Sequence, residues 1–165
     1  MNLHIMKVIE VYHFDKKGHC LYKNTNINNI LHGEGEEFIL KVLFGGNSIP
    51  SQYYLGLDSR STLSRTDTVG SLSSLEPTTS GYIRQTVDAN SFSFITNDSG
   101  NYQANSPVVL FRAVSGSWGP VRNIFLTDQA GYGGKLISSV PLGSNLIVQA
   151  GEIISMRIGL ALASS

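Results

Sequence analysis

Pro107–Val114 reads PVVLFRAV and Val121–Thr127 reads VRNIFLT, and between them Ser115–Pro120 reads SGSWGP. Both flanking runs are rich in β-branched and aromatic residues, and both are too short for a helix that buries a face. The Gly, Ser and Pro between them are turn formers. This is the pattern of two strands and a corner. Working outward toward the C-terminus, Lys135–Val140, Asn145–Gln149 and Ile153–Leu162 repeat it. Turn signals stand at Gly133-Gly134, Leu142–Ser144 and Ala150-Gly151. Toward the N-terminus come Tyr102–Ala104 and Phe92–Thr96, flanking a turn at Asn97–Gly100, then Tyr82–Val87 and Gln52–Leu57.

Met6–Phe14 also alternates. Asp15-Lys16-Lys17-Gly18 follows, with Asp first and Gly last as a type I turn prefers, and His19–Lys23 resumes the extended pattern. This reads as a β-hairpin, with residues 1–23 able to stand apart as an arm. Asn24–Asn29 is Asn-rich and reads as loop. Leu31–Phe44 is the helix candidate. Glu34, Glu36 and Glu37 suit a helix N-terminus, Gly45-Gly46 is a stop, and FILKVLF would bury one face. Ser59–Ser80 is a long Ser/Thr-rich segment whose Leu63, Val69, Leu72 and Leu75 allow a short helical turn. A loop of that length is usually functional or interfacial. About ten short strands and one helix define the expected fold class. It is mainly β, an antiparallel sandwich of jelly-roll-like type. One domain over 1–165 carries a short helix in its N-terminal half and an N-terminal hairpin arm.

The chain has 165 residues, 12 Lys+Arg against 12 Asp+Glu, and only 15% charged residues. Without a basic excess it lacks what neutralising a phosphate backbone requires, so nucleic acid is not an expected partner. Its hydrophobic content of 41% argues against disorder. A small free monomer usually keeps its net charge away from zero, so a neutral chain fits a subunit that lives in an assembly. Apolar runs such as Phe38–Phe44 and Ile153–Ala163 are short or broken by Lys41 and Arg157, and no membrane span is expected. The opening MNLHIMKVIEVYHF lacks a signal-peptide pattern, so synthesis in a cytoplasm is expected.

Chemistry-bearing patterns are sparse. The lone Cys20 excludes an intrachain disulfide and reads as a half-buried small hydrophobe. His13 and Cys20 would pair across the hairpin, but two ligands do not make a metal site. Asp58, Asp67 and Glu76 follow no calcium-loop spacing, and SGSWG at 115–119 lacks the order of a nucleophile elbow. Asp58 and Glu76 could meet in space, as glycosidase carboxylates do, although nothing in the sequence brings them together. No catalytic residue, cofactor or metal is therefore assigned. Aromatics at loops can anchor interfaces. The candidate interface residues are Val8, Val11 and Tyr12 on the hairpin, with Trp118 and Tyr132. For Trp118, between Gly116 and Pro120, a structural role is the safer reading.

Five blocks carry a resemblance: GEGEEFILKVLF (33–44), YYLGLDSRSTL (53–63), EPTTSGYIRQTV (76–87), SWGPVRNIFLTD (117–128) and VQAGEIISMRIGLAL (148–162). In order and spacing they resemble a group of small virion structural proteins of tailed bacteriophages. The resemblance implies a β-rich, non-enzymatic virion component. One role it implies is a capsid decoration (cement) protein on the head surface, bridging the major capsid protein and partnered by copies of itself, as a trimer. The alternative is a tail or fibre-associated host-binding module. In the decoration role the arm or the 59–80 segment would reach a neighbour, the arm for instance by strand addition.

Overall fold

The computed structural model describes residues 4–79, 81–96 and 100–163. Two antiparallel sheets pack face to face, as the strand spacing predicts. The first holds β1 (His4–Phe14), β2 (Cys20–Asn28), β6 (Ser93–Thr96), β7 (Tyr102–Asn105), β8 (Val109–Arg112) and β11 (Ile153–Ala163). Its order is β2-β1-β11-β7-β6, with β8 also paired to β11. The second runs β3-β10-β9-β4-β5, from β3 (Ile30–Leu31), β10 (Leu136–Val148), β9 (Trp118–Thr127), β4 (Gln52–Asp58) and β5 (Gln85–Asp88). The core lies between them. Val11, Phe111, Ile154, Met156 and Ile158 of one sheet meet Leu55, Leu57, Ile124, Leu126 and Val140 of the other, all essentially inaccessible. The alternation of Val109 and Phe111 (buried) with Leu110 and Arg112 (exposed) is what a two-faced strand produces.

The N-terminal hairpin is not an arm. The expected turn forms, with the Gly18 N–H on the Asp15 carbonyl at 3.0 Å. Asp15 Oδ1 accepts from the backbone N–H groups of Lys17 and His19, both at 2.8 Å. The His19 N–H foremost holds the Asp15 carboxyl down, at about 2. But β1 then lies between β2 and β11 and pairs along β11 from His4↔Ala163 to Phe14↔Ile153. Val11 is wholly buried. An alternating strand has an apolar face to bury, and the open side of β11 covers it. Asn24–Asn28 is strand rather than loop for the same reason. Its backbone is captured by β1 (Val11↔Asn24, Lys7↔Asn28), against its residue preferences. A register shift between His13 and Phe14 pairs Cys20 with Phe14 and His13 with Tyr22. Cys20 is therefore exposed and not the half-buried partner of His13.

The Leu142–Ser144 turn signal marks a bulge inside one long strand, β10, with Gly143 at φ +74°. Leu142 stays in the core. Its carbonyl accepts from Tyr22 Oη and from Asn24 Nδ2, two side chains of the opposite sheet. The expected turn at 97–100 falls largely on residues 97–99, outside the described residues.

Helix α1 (Gly33–Phe44) forms where expected and stops at Gly45, whose N–H returns to the Lys41 carbonyl. It lies directly on β10. A Cβ at Gly35 would stand 2.1 Å from the Ile137 carbonyl oxygen. Only the start of the helix is sealed, however. Phe38 meets Tyr53 edge to face, whereas Leu40, Leu43 and Phe44 are exposed. The face expected to be buried along FILKVLF is thus covered only at its start.

The 59–80 segment does not reach outward. It folds over the outer face of the second sheet, where a 3-10 turn at Val69–Leu72 places both residues against Phe125 and Leu136 as a second small core. Gly56 leaves the room for the Phe125 ring, whose Cζ would lie 2.1 Å from a Cβ there.

Two outcomes follow. Deleting residues 1–23 should abolish cooperative unfolding in a thermal melt, because β11 loses its neighbour; a near-wild-type transition would restore the arm reading. Gly35→Ala should lower stability in urea titration by about 1–3 kcal/mol, overpacking outweighing the gain in helix propensity.

Candidate functional site

Of the titratable groups singled out from the sequence, Asp58 and Glu76 are buried, and each is held by an arginine. Asp58, at the end of β4, is fully buried. Its Oδ1 accepts from Arg60 N (2.9 Å), Arg60 Nε (3.0 Å) and Asn123 Nδ2 (2.8 Å), and its Oδ2 from Arg60 Nη2 (2.7 Å). Arg60 Nη1 completes the fork on Asp67 Oδ2 at 2.8 Å. Asp67 also accepts from Ser64 N. These bonds satisfy the carboxylate of Asp58 and the guanidinium of Arg60 together, which is the condition for burying either.

His32, just before α1, belongs to the same assembly and is wholly buried. Its Nδ1 lies 2.8 Å from the Ser64 carbonyl and its Nε2 lies 2.6 Å from Ser139 Oγ. A carbonyl only accepts, so Nδ1 carries the proton and Nε2 accepts from the hydroxyl: the neutral ring fits. Burial first, and the Arg60 charge second, push its pKa below the usual histidine value. Nearby, Glu34 Oε2 accepts from Val69 N (3.0 Å) and Leu136 N (2.8 Å), fastening helix, long segment and β10 at one oxygen.

Glu76 forms a second locked pair with Arg84, whose Nη2 lies 2.6 Å from Oε1. Tyr82 Oη donates to Glu76 Oε2 at 2.6 Å and accepts from Leu57 N at 2.9 Å. Burial, reinforced by the adjacent carboxylate, raises the Tyr82 pKa and keeps the phenol protonated. Asp58 and Glu76 do line one cleft, together with Trp118. Each carboxylate faces an arginine, so neither is placed to trade a proton with a substrate as a glycosidase pair must. His13 Nε2 pairs with Glu152 Oε2 at 2.7 Å. Among the described residues, no group of three or more His, Cys, Asp or Glu could hold a metal ion. No described helix is long and apolar enough to cross a membrane.

The five candidate interface residues separate. Val11 and Trp118 are in the core and leave the candidate surface: Val11 points between the sheets, and Trp118 packs edge-on against Tyr82, with ring centroids 5.5 Å apart. Aromatic area at a sandwich end is worth more buried than presented, which favours the structural role for Trp118. The backbone of Val8 pairs with Ile27 and Ile158 inside the first sheet. Tyr12 is half-buried on the outer face, stacked on Phe14, with Lys23 Nζ 5.3 Å from its ring. Tyr132 is 45% exposed, under the Arg84 guanidinium at 4.8 Å.

The more open surfaces were not singled out in the sequence. One is the end of α1, with Leu40, Leu43 and Phe44. The other is the β6–β7 ladder, where Phe94 is 78% and Tyr102 81% exposed. They border a groove of about 500 Å³ with Ala104 and Leu160. The signal available was faint: β6 reads SFIT, with apolar side chains on both faces.

The buried carboxylates of Asp58 and Glu76 are each paired with an arginine, and the sandwich carries exposed apolar patches on strand and on helix. The class is the phage virion structural protein. The chain matches the family model of the Podophage GP4 fiber I protein gp80 over residues 34–162, and it belongs to this family. No curated protein matches the chain.

The depressed pKa of His32 has a sign. The unfolded state takes up a proton near pH 6.5 and the folded state only at lower pH, so stability is full above about pH 6.5 and falls as pH drops toward the folded value. The urea midpoint should therefore be lower at pH 5.5 than at pH 7.5, and His32→Gln should flatten that difference. An equal difference in both proteins would mean that His32 does not contribute.

Proposed function

We propose that the chain is a fibre-associated subunit of a phage particle that acts by binding and has no catalytic task. The observation that carries this is the family match, which covers residues 34–162, from α1 into β11, and names a fibre protein. Its support from the structure is chemical. The buried carboxylates Asp58 and Glu76 are each committed to an arginine, and apolar side chains are exposed together at the end of α1 and on β6–β7. Low charge and a neutral balance suit a subunit packed among others, and they do so in a fibre as well as on a shell. The fibre alternative is preferred to the decoration of a capsid because the matching family is described as a fibre protein. Its partners in this reading are copies of itself and a neighbouring virion protein.

The test is location. Gold-labelled antibody against the chain, applied to purified particles, should mark fibres or the tail region in electron micrographs. Label distributed evenly over the head would overturn the reading in favour of decoration.

A further inference from the structure

The first sheet ends on an undefended strand. Parity along β11 puts Leu160 on the same face as the core residues Ile154, Met156 and Ile158. Pairing then carries that face outward, since Leu160 lies opposite Ala104, and Ala104 opposite Phe94. Antiparallel partners directly opposite share a face. The exposed Phe94 therefore continues the inner, core-bearing face of the sheet beyond the reach of the facing sheet. β6 is also exposed on its other face, at Ile95. β7 is held by β11 and buries Gln103, whereas β6 is paired to β7 alone among the described strands and all four of its residues are exposed.

The remaining edges carry the usual protections against strand addition. β2 has the exposed Lys23 and a register shift beside it, β5 has Asp88, β8 has Arg112, and β3 is two residues long. β6 has no charge, no proline and no bulge, and its partner β7 (YQAN) has no charge either.

We infer that β6 is a self-association edge, on which β6 of a second copy of this chain pairs antiparallel about a two-fold axis. Identical charge-free strands meet without like-charge repulsion, and the chain as a whole has a net charge of +0. A two-fold axis normal to the sheet pairs residues of the same face. Phe94 is then set opposite Phe94 or Thr96 of the second copy, and the open inner face becomes continuous across both. An isologous contact of this kind closes on itself and gives a dimer. The inference names the self-contact that the fibre reading draws on. It is separable from that reading, since the location of the chain on the particle and its pairing through β6 are measured independently.

The experiment is sedimentation velocity on the full chain over a concentration series, with Phe94→Lys and Ile95→Lys, one on each face. The wild type should form a dimer whose dissociation constant rises at least tenfold in either variant, with thermal melts unchanged at concentrations where the wild type is monomeric, because both positions are exposed. Leu43→Lys, on the helix patch, should leave it unaltered. Hydrogen exchange on the wild type supplies a readout that needs no substitution: amides of residues 93–96 should gain protection as the concentration rises. A wild type that stays monomeric at millimolar concentration overturns the inference. So does a dimer or trimer indifferent to both lysines, or exchange at 93–96 that ignores concentration. A monomer that needs β6 only to join the particle would assign the edge to a different protein and overturn it as well.

Discussion

The buried pair of Asp58 and Arg60 fixes more of this molecule than any other contact. Taking both charges out of water costs several kcal/mol per ion, and only a complete set of bonds offsets it. Asn123 from β9 and Asp67 from the long segment complete that set. The consequence is geometric. Once Arg60 is held, residues 59–69 must cross the outer face of the second sheet. Ser64 is brought to His32, and Val69 to Glu34 at the start of α1. Removing one member of such a pair typically costs about 3–5 kcal/mol, as the other is left charged and unpaired. The 3-10 turn, the small second core and the seating of the helix all follow from this crossing.

The same commitment defines what the protein does with its polar residues. Carboxylates that neutralise arginines inside a fold stabilise that fold and are withdrawn from other chemistry. Glu76 and Arg84 repeat the arrangement a few residues on, and Arg84 extends it to the 128–134 loop through the carbonyls of Gln129 and Gly131. Among the exposed apolar side chains, Leu40, Leu43 and Phe44 cluster at the end of α1, and Phe94, Ile95 and Tyr102 at β6–β7; clustering of that kind marks places where something else packs.

The sandwich class, its single helix and most strands were legible, because period-2 runs between turn formers record a two-faced environment directly. VLFR at 109–112 needed nothing beyond alternation, whereas the stretch through Ile124 and Leu126 is buried on both faces and was legible as an unbroken β-prone run. Asn24–Asn28 was not legible, since its strand state is imposed by β1 and contradicts its local preferences. Nor was the bulge at Gly143, where a turn signal is overruled by Tyr22 and Asn24 reaching across from the other sheet. Val11 and Trp118 illustrate the limit for sites. An apolar or aromatic residue at a hairpin or corner reads alike whether it faces a partner or the core, and only the position of β11 or Tyr82 decides. Phe94 was the converse: an ordinary strand residue whose exposure depends on where the facing sheet stops.

The pairing of β1 with β11 joins His4 to Ala163, so the first and last described strands run side by side with their outer ends together. Tension applied between those two ends acts on one ladder at its extremity and opens it rung by rung. The same tension applied along the strand axis from elsewhere loads every rung at once. A subunit tethered through its termini would thus be mechanically soft. One gripped through its sheet edges or its helix would be stiff, which makes lateral attachment the geometry in which this sandwich carries load.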